Sequence, residues 1–349
     1  MPHPDPIRRR SLAAAAALVA SAAAGPTLLA QHRADDGHVA IAVGGRSAIS
    51  WLPLTLAAQL GFFKAEGLDV NLIDSADDAA ALQVLATGGA DVASCSFEHT
   101  IRLQGRGAAL QCFVLQSRAP QIAVGVSART MAGYRGVADL RGRRVGVSAP
   151  DSASQALVAT LLLRAGLNVA DVTFVGVGVG TGALNALRSG QIDAISNVEP
   201  VMTMLEHRGD VRILADTRSL AGAQDILGGP MPAGCLCAST EYVQKHPATC
   251  QALAHAIVRA LKWLRTAGPG DIVRTVPEEY LLGDRGLYLL SLAKVIEAFS
   301  LDGLMPQDGA RTALRVLQDG GVSVRADRVN LGQTYTNTFA RVAKDRFKA

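Results

Sequence analysis

A chain of 349 residues leaves room for two domains, and 49% apolar against 18% charged side chains lets it bury their cores; disorder is excluded. The formal net charge is +4, but three arginines and one aspartate fall in residues 1–30. Beyond them Lys+Arg drops from 34 to 31 and Asp+Glu from 30 to 29, a balance of +2 that excludes an electrostatic footprint for nucleic acid. Aromatic residues make up only 4%, so Ala, Val, Leu and Gly must fill the cores.

The N-terminus reads as a targeting segment. Arg8-Arg9-Arg10-Ser11-Leu12 precedes the small apolar run Ala13–Ala24 and then Gly25-Pro26. It resembles the twin-arginine export signal, R-R-x-[FS]-L, with an ordinary Sec signal as the alternative. Residues 1–30 are expected to be removed on export, by cleavage after Ala24 or Ala30. The run is too short for a good membrane anchor, and no later stretch of 18 apolar residues follows. A soluble periplasmic protein is expected.

Val39–Val43 is a continuous apolar run ended by Gly44-Gly45, the pattern of a buried parallel strand. A helix is expected from Trp51 to Phe63, with Pro53 in its first turn. Val70–Ile73 is a second strand, Ser75–Asp78 a loop and cap, and Ala79–Ala86 a helix. Val92–Cys95 is a third strand, Thr100–Gln104 a helix, and Leu110–Leu115 a fourth strand. After a strand at Gln121–Ser127 the same alternation repeats. Val145–Val147, Val172–Val175 and Val211–Leu214 read as strands, and Gln155–Ala165 as a helix stopped by Gly166. Such alternation implies parallel βαβ units. Gly234–Ala238 is a further strand, expected to return to the first lobe beside Gln121–Ser127. Helical patterns cover Pro247–Ala267, Leu287–Phe299, Gly309–Gln318 and Thr334–Phe347.

One stretch is written twice. Ala81–Ser94 reads A-L-Q-V-L-A-T-G-G-A-D-V-A-S, and Ala183–Ser196 reads A-L-N-A-L-R-S-G-Q-I-D-A-I-S. Each is a helix, a Gly turn and an Asp leading a buried strand, so two similar α/β lobes are expected. Asp91 and Asp193 precede their strands and read as structural. The lobes are bounded as 38–120 with 235–345 (lobe I) and 121–234 (lobe II).

Two α/β lobes with two extended crossings resemble the periplasmic substrate-binding proteins of ABC importers. The resemblance is sharpened by Leu60–Val70 (L-G-F-F-K-A-E-G-L-D-V), similar to that family's G-F-F-x-x-E-G-L-x-V, and by Ala138–Val147, similar to its D-L-x-G-K-x-V-G-V. It covers about residues 38–345. It implies the type II periplasmic-binding-protein fold, two doubly wound lobes joined by two crossing strands. It also implies the subgroup that binds sulfonate, taurine, nitrate or thiamine precursors, and an inner-membrane ABC permease as partner of a monomer.

In doubly wound sheets ligands sit beyond the carboxyl ends of the strands. Here those ends offer Ser47, Ser96, Ser152, Ser154, Thr181 and Asn197 as hydrogen-bonding groups beside helix starts, where N–H groups and the helix dipole favour an anion. Arg46 and Arg118 are candidates to clamp a carboxylate or sulfonate. Trp51 is a candidate stacking surface for a thiamine-precursor pyrimidine or other aromatic ligand. Glu98 and Glu199 are candidates at strand ends, with Glu98-His99 suited to an amine. The alternatives are ordinary caps, solvated arginines and a packing tryptophan.

Gly178-Val-Gly180-Thr-Gly182-Ala183 fits G-x-G-x-x-A, but the glycines continue a regular alternation and the helix after them is short, so no dinucleotide is expected. Cys95, Cys112, Cys235, Cys237 and Cys250 are an odd number, too isolated for a metal site, and read as small core residues. Cys235 and Cys237 share a strand face at roughly 6.5–7 Å, near the limit of disulfide geometry. No nucleophile–base set stands out among the scattered histidines. The expected function is capture of a small anionic organic ligand for import, without catalysis or cofactor; an enzyme on the same fold is the alternative.

Overall fold

A computed structural model describes residues 37–322 and 324–349; the expected export signal lies outside the described residues. The chain builds a first sheet from β1 (His38–Gly44), β2 (Asp69–Ser75), β3 (Val92–Ser96) and β4 (Leu110–Leu115). It then crosses to a second, built from β5 (Ile122–Ser127), β6 (Arg144–Val147), β7 (Thr173–Gly176), β8 (Ala194–Val198) and β9 (Val211–Asp216), and returns with β10 (Gly234–Ser239). The five-stranded orders are β2-β1-β3-β10-β4 and β7-β6-β8-β5-β9, one arrangement used twice.

Within each sheet three strands are parallel, as the alternation implies: β1 with β2 and β3, β6 with β7 and β8. The fourth place is taken by an antiparallel strand that has just crossed over. β10 lies between β3 and β4, and β5 between β8 and β9. The expectation that Gly234–Ala238 runs beside Gln121–Ser127 is therefore corrected: the two strands belong to different sheets. The crossings do meet ahead of β5, where Gln116 and Ser117 reach the start of β10. Gly234 N–H donates to Ser117 Oγ at 2.7 Å, and its carbonyl accepts from Gln116 N–H at 2.7 Å. They part at Ala119-Pro120, where Gln121 adopts φ 61°.

The helices follow the capping chemistry. α1 (Leu52–Gln59) starts with Pro53 in its first turn and ends before Gly61, whose φ of 70° breaks the single expected helix and starts α2 (Phe62–Ala65). α3 (Asp78–Ala86) is capped by Asp77, and α4 (Glu98–Gly105) follows β3 directly. In the second half come α5 (Ala153–Arg164), α6 (Thr181–Ser189), α7 (Val201–His207) and α8 (Leu220–Leu227). α7 and α8 were not read from sequence. α7 follows Pro200 with no side-chain cap, while α8 is capped by Ser219, whose Oγ accepts from Gly222 N–H. Then come α9 (Thr240–Lys245), α10 (Pro247–Thr266), α11 (Pro269–Thr275), α12 (Arg285–Val295), α13 (Gly309–Asp319) and α14 (Thr338–Phe347).

The duplicated stretch does the same work in both sheets. Asp91 Oδ2 accepts from Ala40 N–H at 2.8 Å, and Asp193 Oδ2 from Arg144 N–H at 3.1 Å. Each aspartate thus ties the start of its strand to the central parallel strand. Gly88 and Gly190, at φ 76° and 78°, make the matching turns before them.

The C-terminal helices serve both sheets. α10 packs on α1, α2 and α14, whereas α12 lies on α7, with Lys294 Nζ 2.7 Å from Glu206 Oε2. α13 touches both α4 and α5. All five cysteines are buried and unbridged, with Cys95 and Cys237 Sγ atoms 3.3 Å apart on neighbouring strands.

Candidate functional site

The carboxyl ends of β1, β3, β6 and β8 open on one cleft between the sheets, about 1010 Å³ with its mouth included. The first sheet supplies Trp51, Asp77, Asp78, Ser96 and Glu98 to its walls, and the second supplies Ser148, Ser152 and Ser154. The remaining surface is largely apolar, from Ile122, Leu157, Leu227, Met231 and, on α13, Val316 and Leu317.

The acidic wall is built from two helix starts. Asp77 caps α3, its Oδ1 accepting from Ala80 N–H at 2.8 Å. Asp78 Oδ2 accepts from both the amide and the hydroxyl of Ser96, at 3.0 and 2.8 Å, and lies 3.5 Å from His99 Nε2. Burial alone would lower the His99 pKa, but the nearby Asp78 carboxylate and the charge of Glu98 outweigh it and raise it. Glu98 is 3% exposed, and its buried Oε1 has no hydrogen-bond partner. Burial pushes the Glu98 carboxyl pKa up, against the opposing pull of His99.

The facing wall is the N-terminus of α5. Ser148, Ser154 and Ser152 form a chain of hydroxyls, with Oγ–Oγ distances of 2.9 and 2.8 Å, and Ser154 Oγ also accepts from Ser148 N–H. Ser152 caps the helix. Trp51 is a fixed part of the wall: it is 5% exposed, Nε1 donates to the Gly44 carbonyl at 2.8 Å, and the ring packs over Gly234.

The cleft thus brings together Trp51, Ser96, Glu98, Ser152 and Ser154 of the residues expected from sequence. The others lie outside its lining. Arg46 Nε donates to the Tyr280 hydroxyl, and the Arg118 guanidinium to the carbonyls of Phe299 and Glu297. Ser47 is half-buried in the turn after β1, and Thr181 is exposed at the start of α6. Asn197 is consumed by the Gly178 carbonyl and the Val198 amide. Glu199 is buried against Arg218 Nη1 at 2.7 Å and the Thr203 amide and hydroxyl. Sequence reasoning read Ser75–Asp78 as a loop and cap without singling out Asp77 or Asp78, and it did not single out Ser148. Their cap-like context hid them, since a capping aspartate looks the same whether or not a cleft lies beyond it. Among the described residues no group of three or more His, Cys, Asp or Glu is placed to hold a metal ion.

Residues 49–267 match the NMT1/THI5 like family model. The chain belongs to the NMT1/THI5-like family. A solved protein of Bordetella bronchiseptica RB50 is similar over 90% of this chain and 98% of its own, at 49% identity and a TM-score of 0.87. The alkanesulfonate-binding protein SsuA from Xanthomonas axonopodis pv. citri, solved with MOPS, is 18% identical over 86% of this chain and 99% of its own, with a TM-score of 0.66. Distant family likenesses of this kind show the periplasmic-binding-protein fold. The desulfurization enzyme DszB has it too, at 18% identity over 88% of this chain and 99% of its own and a TM-score of 0.58. No curated protein matches. Among the described residues no helix is long and apolar enough to cross a membrane.

Proposed function

We propose that this family member is an exported solute-binding protein. It takes a small organic ligand into the cleft between its two sheets and hands it to an inner-membrane ABC permease, working as a monomer and without chemical turnover. The observation that carries the reading is the cleft itself, walled by strand ends and helix starts from both sheets. Two bodies joined by two crossings close on a ligand by hinge motion. Hydroxyls and carboxylates on the walls fix the polar end of the ligand, and the apolar floor takes its body.

An anionic, sulfonate-like headgroup would rest on the α5 N-terminus and its serines, because neither Arg46 nor Arg118 lines the cleft. The test is a thermal-shift and calorimetric screen of the purified protein against sulfonates, nitrate, carboxylates, pyrimidines and amines, with mass spectrometry of the recovered ligand. Tight binding with the ligand returned unchanged is expected. Conversion of a bound compound would overturn the reading in favour of an enzyme.

A further inference from the structure

We propose that the ligand carries a protonated amine or amidine whose N–H groups bind Glu98, attached to a compact apolar body. The inference rests on the cleft being the ligand site and names the chemistry it selects.

Three carboxyl groups line the cleft, and no Lys or Arg does. Two of the three are committed to the protein. Asp77 closes the first turn of α3, and Asp78 holds Ser96 and faces His99. Glu98 is different. It sits at the start of α4 with its side chain buried, and its Oε1 accepts from nothing. A buried acceptor without a donor is costly and rare in a folded protein, and one lining a cleft is satisfied by what the cleft holds.

The cations near Glu98 do not fill the role. Arg102, one turn along α4, sends Nη1 away to the Asp151 carbonyl at 2.6 Å. His99 turns Nε2 toward Asp78. The missing partner is therefore an N–H donor from the ligand, and the acidic surroundings favour a positive one. The wall opposite presents hydroxyls rather than cations, and the floor of Leu157, Met231 and Leu317 accepts hydrocarbon. An organic anion meets carboxylates on one side and no guanidinium on the other.

The probes are benzamidine, phenethylamine and cyclohexylamine, each measured by calorimetry beside its isosteric alcohol and sulfonate. The wild-type protein is expected to bind at least one of the amines about tenfold tighter than the matched alcohol, a difference that a charge-assisted hydrogen bond supplies. Glu98→Gln is expected to erase that preference while leaving the fold, followed by circular dichroism, unchanged. Quaternary N-methylation of the probe, which removes the N–H groups, is expected to abolish the preference as well. A sulfonate that outbinds its amine, or a Glu98→Gln protein that keeps the amine preference, overturns this inference and leaves the solute-binding reading standing. Absence of binding by every probe and by the full screen above overturns both.

Discussion

Arg102 on α4 donates Nη1 to the backbone carbonyl of Asp151 at 2.6 Å, joining the wall that carries Glu98 to the loop that carries Ser152. The guanidinium also lies 3.8 Å from the Asp151 carboxylate. The pair links the two edges of the cleft, so it exists only while the sheets hold this approach. Arg102→Ala is expected to speed ligand dissociation about fivefold, the net scale of one ordinary hydrogen bond, with little change in the association rate. Asp151→Gly is the control: it keeps the accepting carbonyl and suits the φ of 59° found there, so its dissociation rate is expected to stay near wild type. Stopped-flow dissociation measures both; equal rates in Arg102→Ala and wild type would remove the latch.

Arg218 is the buried centre of the second half, 4% exposed and bonded to Glu199, Glu206 and Asp216. It joins the end of β8, α7 and β9, and Lys294 brings α12 to Glu206. Arg218→Met leaves the buried Glu199 without its cation, and a loss of about 3–5 kcal/mol is expected in urea unfolding.

The same cluster sets an acid limit. Burial by itself raises the pKa of Glu206 and of Asp216, but the bonds from Arg218 and the charge of Lys294 win, and both end below the ordinary carboxylate value. A carboxylate with a depressed folded-state pKa contributes stability that is present above its unfolded value. That stability is lost as the pH falls through the folded one. Stability is therefore expected to decline from about pH 4 downward. The slope should flatten in Arg218→Met, read from urea midpoints across that range.

Gly234 sits where the two crossings meet. A Cβ there would come 3.0 Å from the Trp51 ring and 3.2 Å from Ser117 Oγ, on the residue whose amide and carbonyl tie the two crossings. Gly234→Ala is expected to cost about 1–3 kcal/mol through overpacking. It should weaken ligand binding too, since Trp51 is cleft wall. Gly61→Ala pays only for its positive φ and meets no neighbour within 4 Å, so its ligand affinity is expected to be unchanged. Equal effects of the two on affinity would deny the meeting point of the crossings its link to the cleft.

The duplicated aspartates offer a matched pair. Asp91→Ala and Asp193→Ala each remove an acceptor from a backbone amide of the neighbouring strand, at Ala40 and Arg144. Each is expected to lower stability by about 1–3 kcal/mol and to leave ligand affinity alone. A change in affinity from either would place it in the binding machinery.

Local pattern was enough for much of this molecule. Buried parallel strands need continuous apolar runs, so Val39–Val43 stands out by composition, and Gly88 and Gly190 mark turns that glycine takes readily. The repeat exposed the twofold design and the structural role of Asp91 and Asp193, because an identical task at an identical strand start repeats its residue type. Local pattern also placed Ser96, Glu98, Ser152 and Ser154 at strand ends and helix starts, where the doubly wound rule puts a ligand. It did not reveal which of those groups remain free. Arg46, Arg118 and Glu199 have the right chemistry, yet Tyr280, the 297–299 carbonyls and Arg218 take them. Those partners lie far away in sequence or on a different strand, and only the packed structure brings them within bonding distance. The same packing leaves Glu98 Oε1 buried and unanswered beside an apolar floor, so the cleft's preference was decided by tertiary structure.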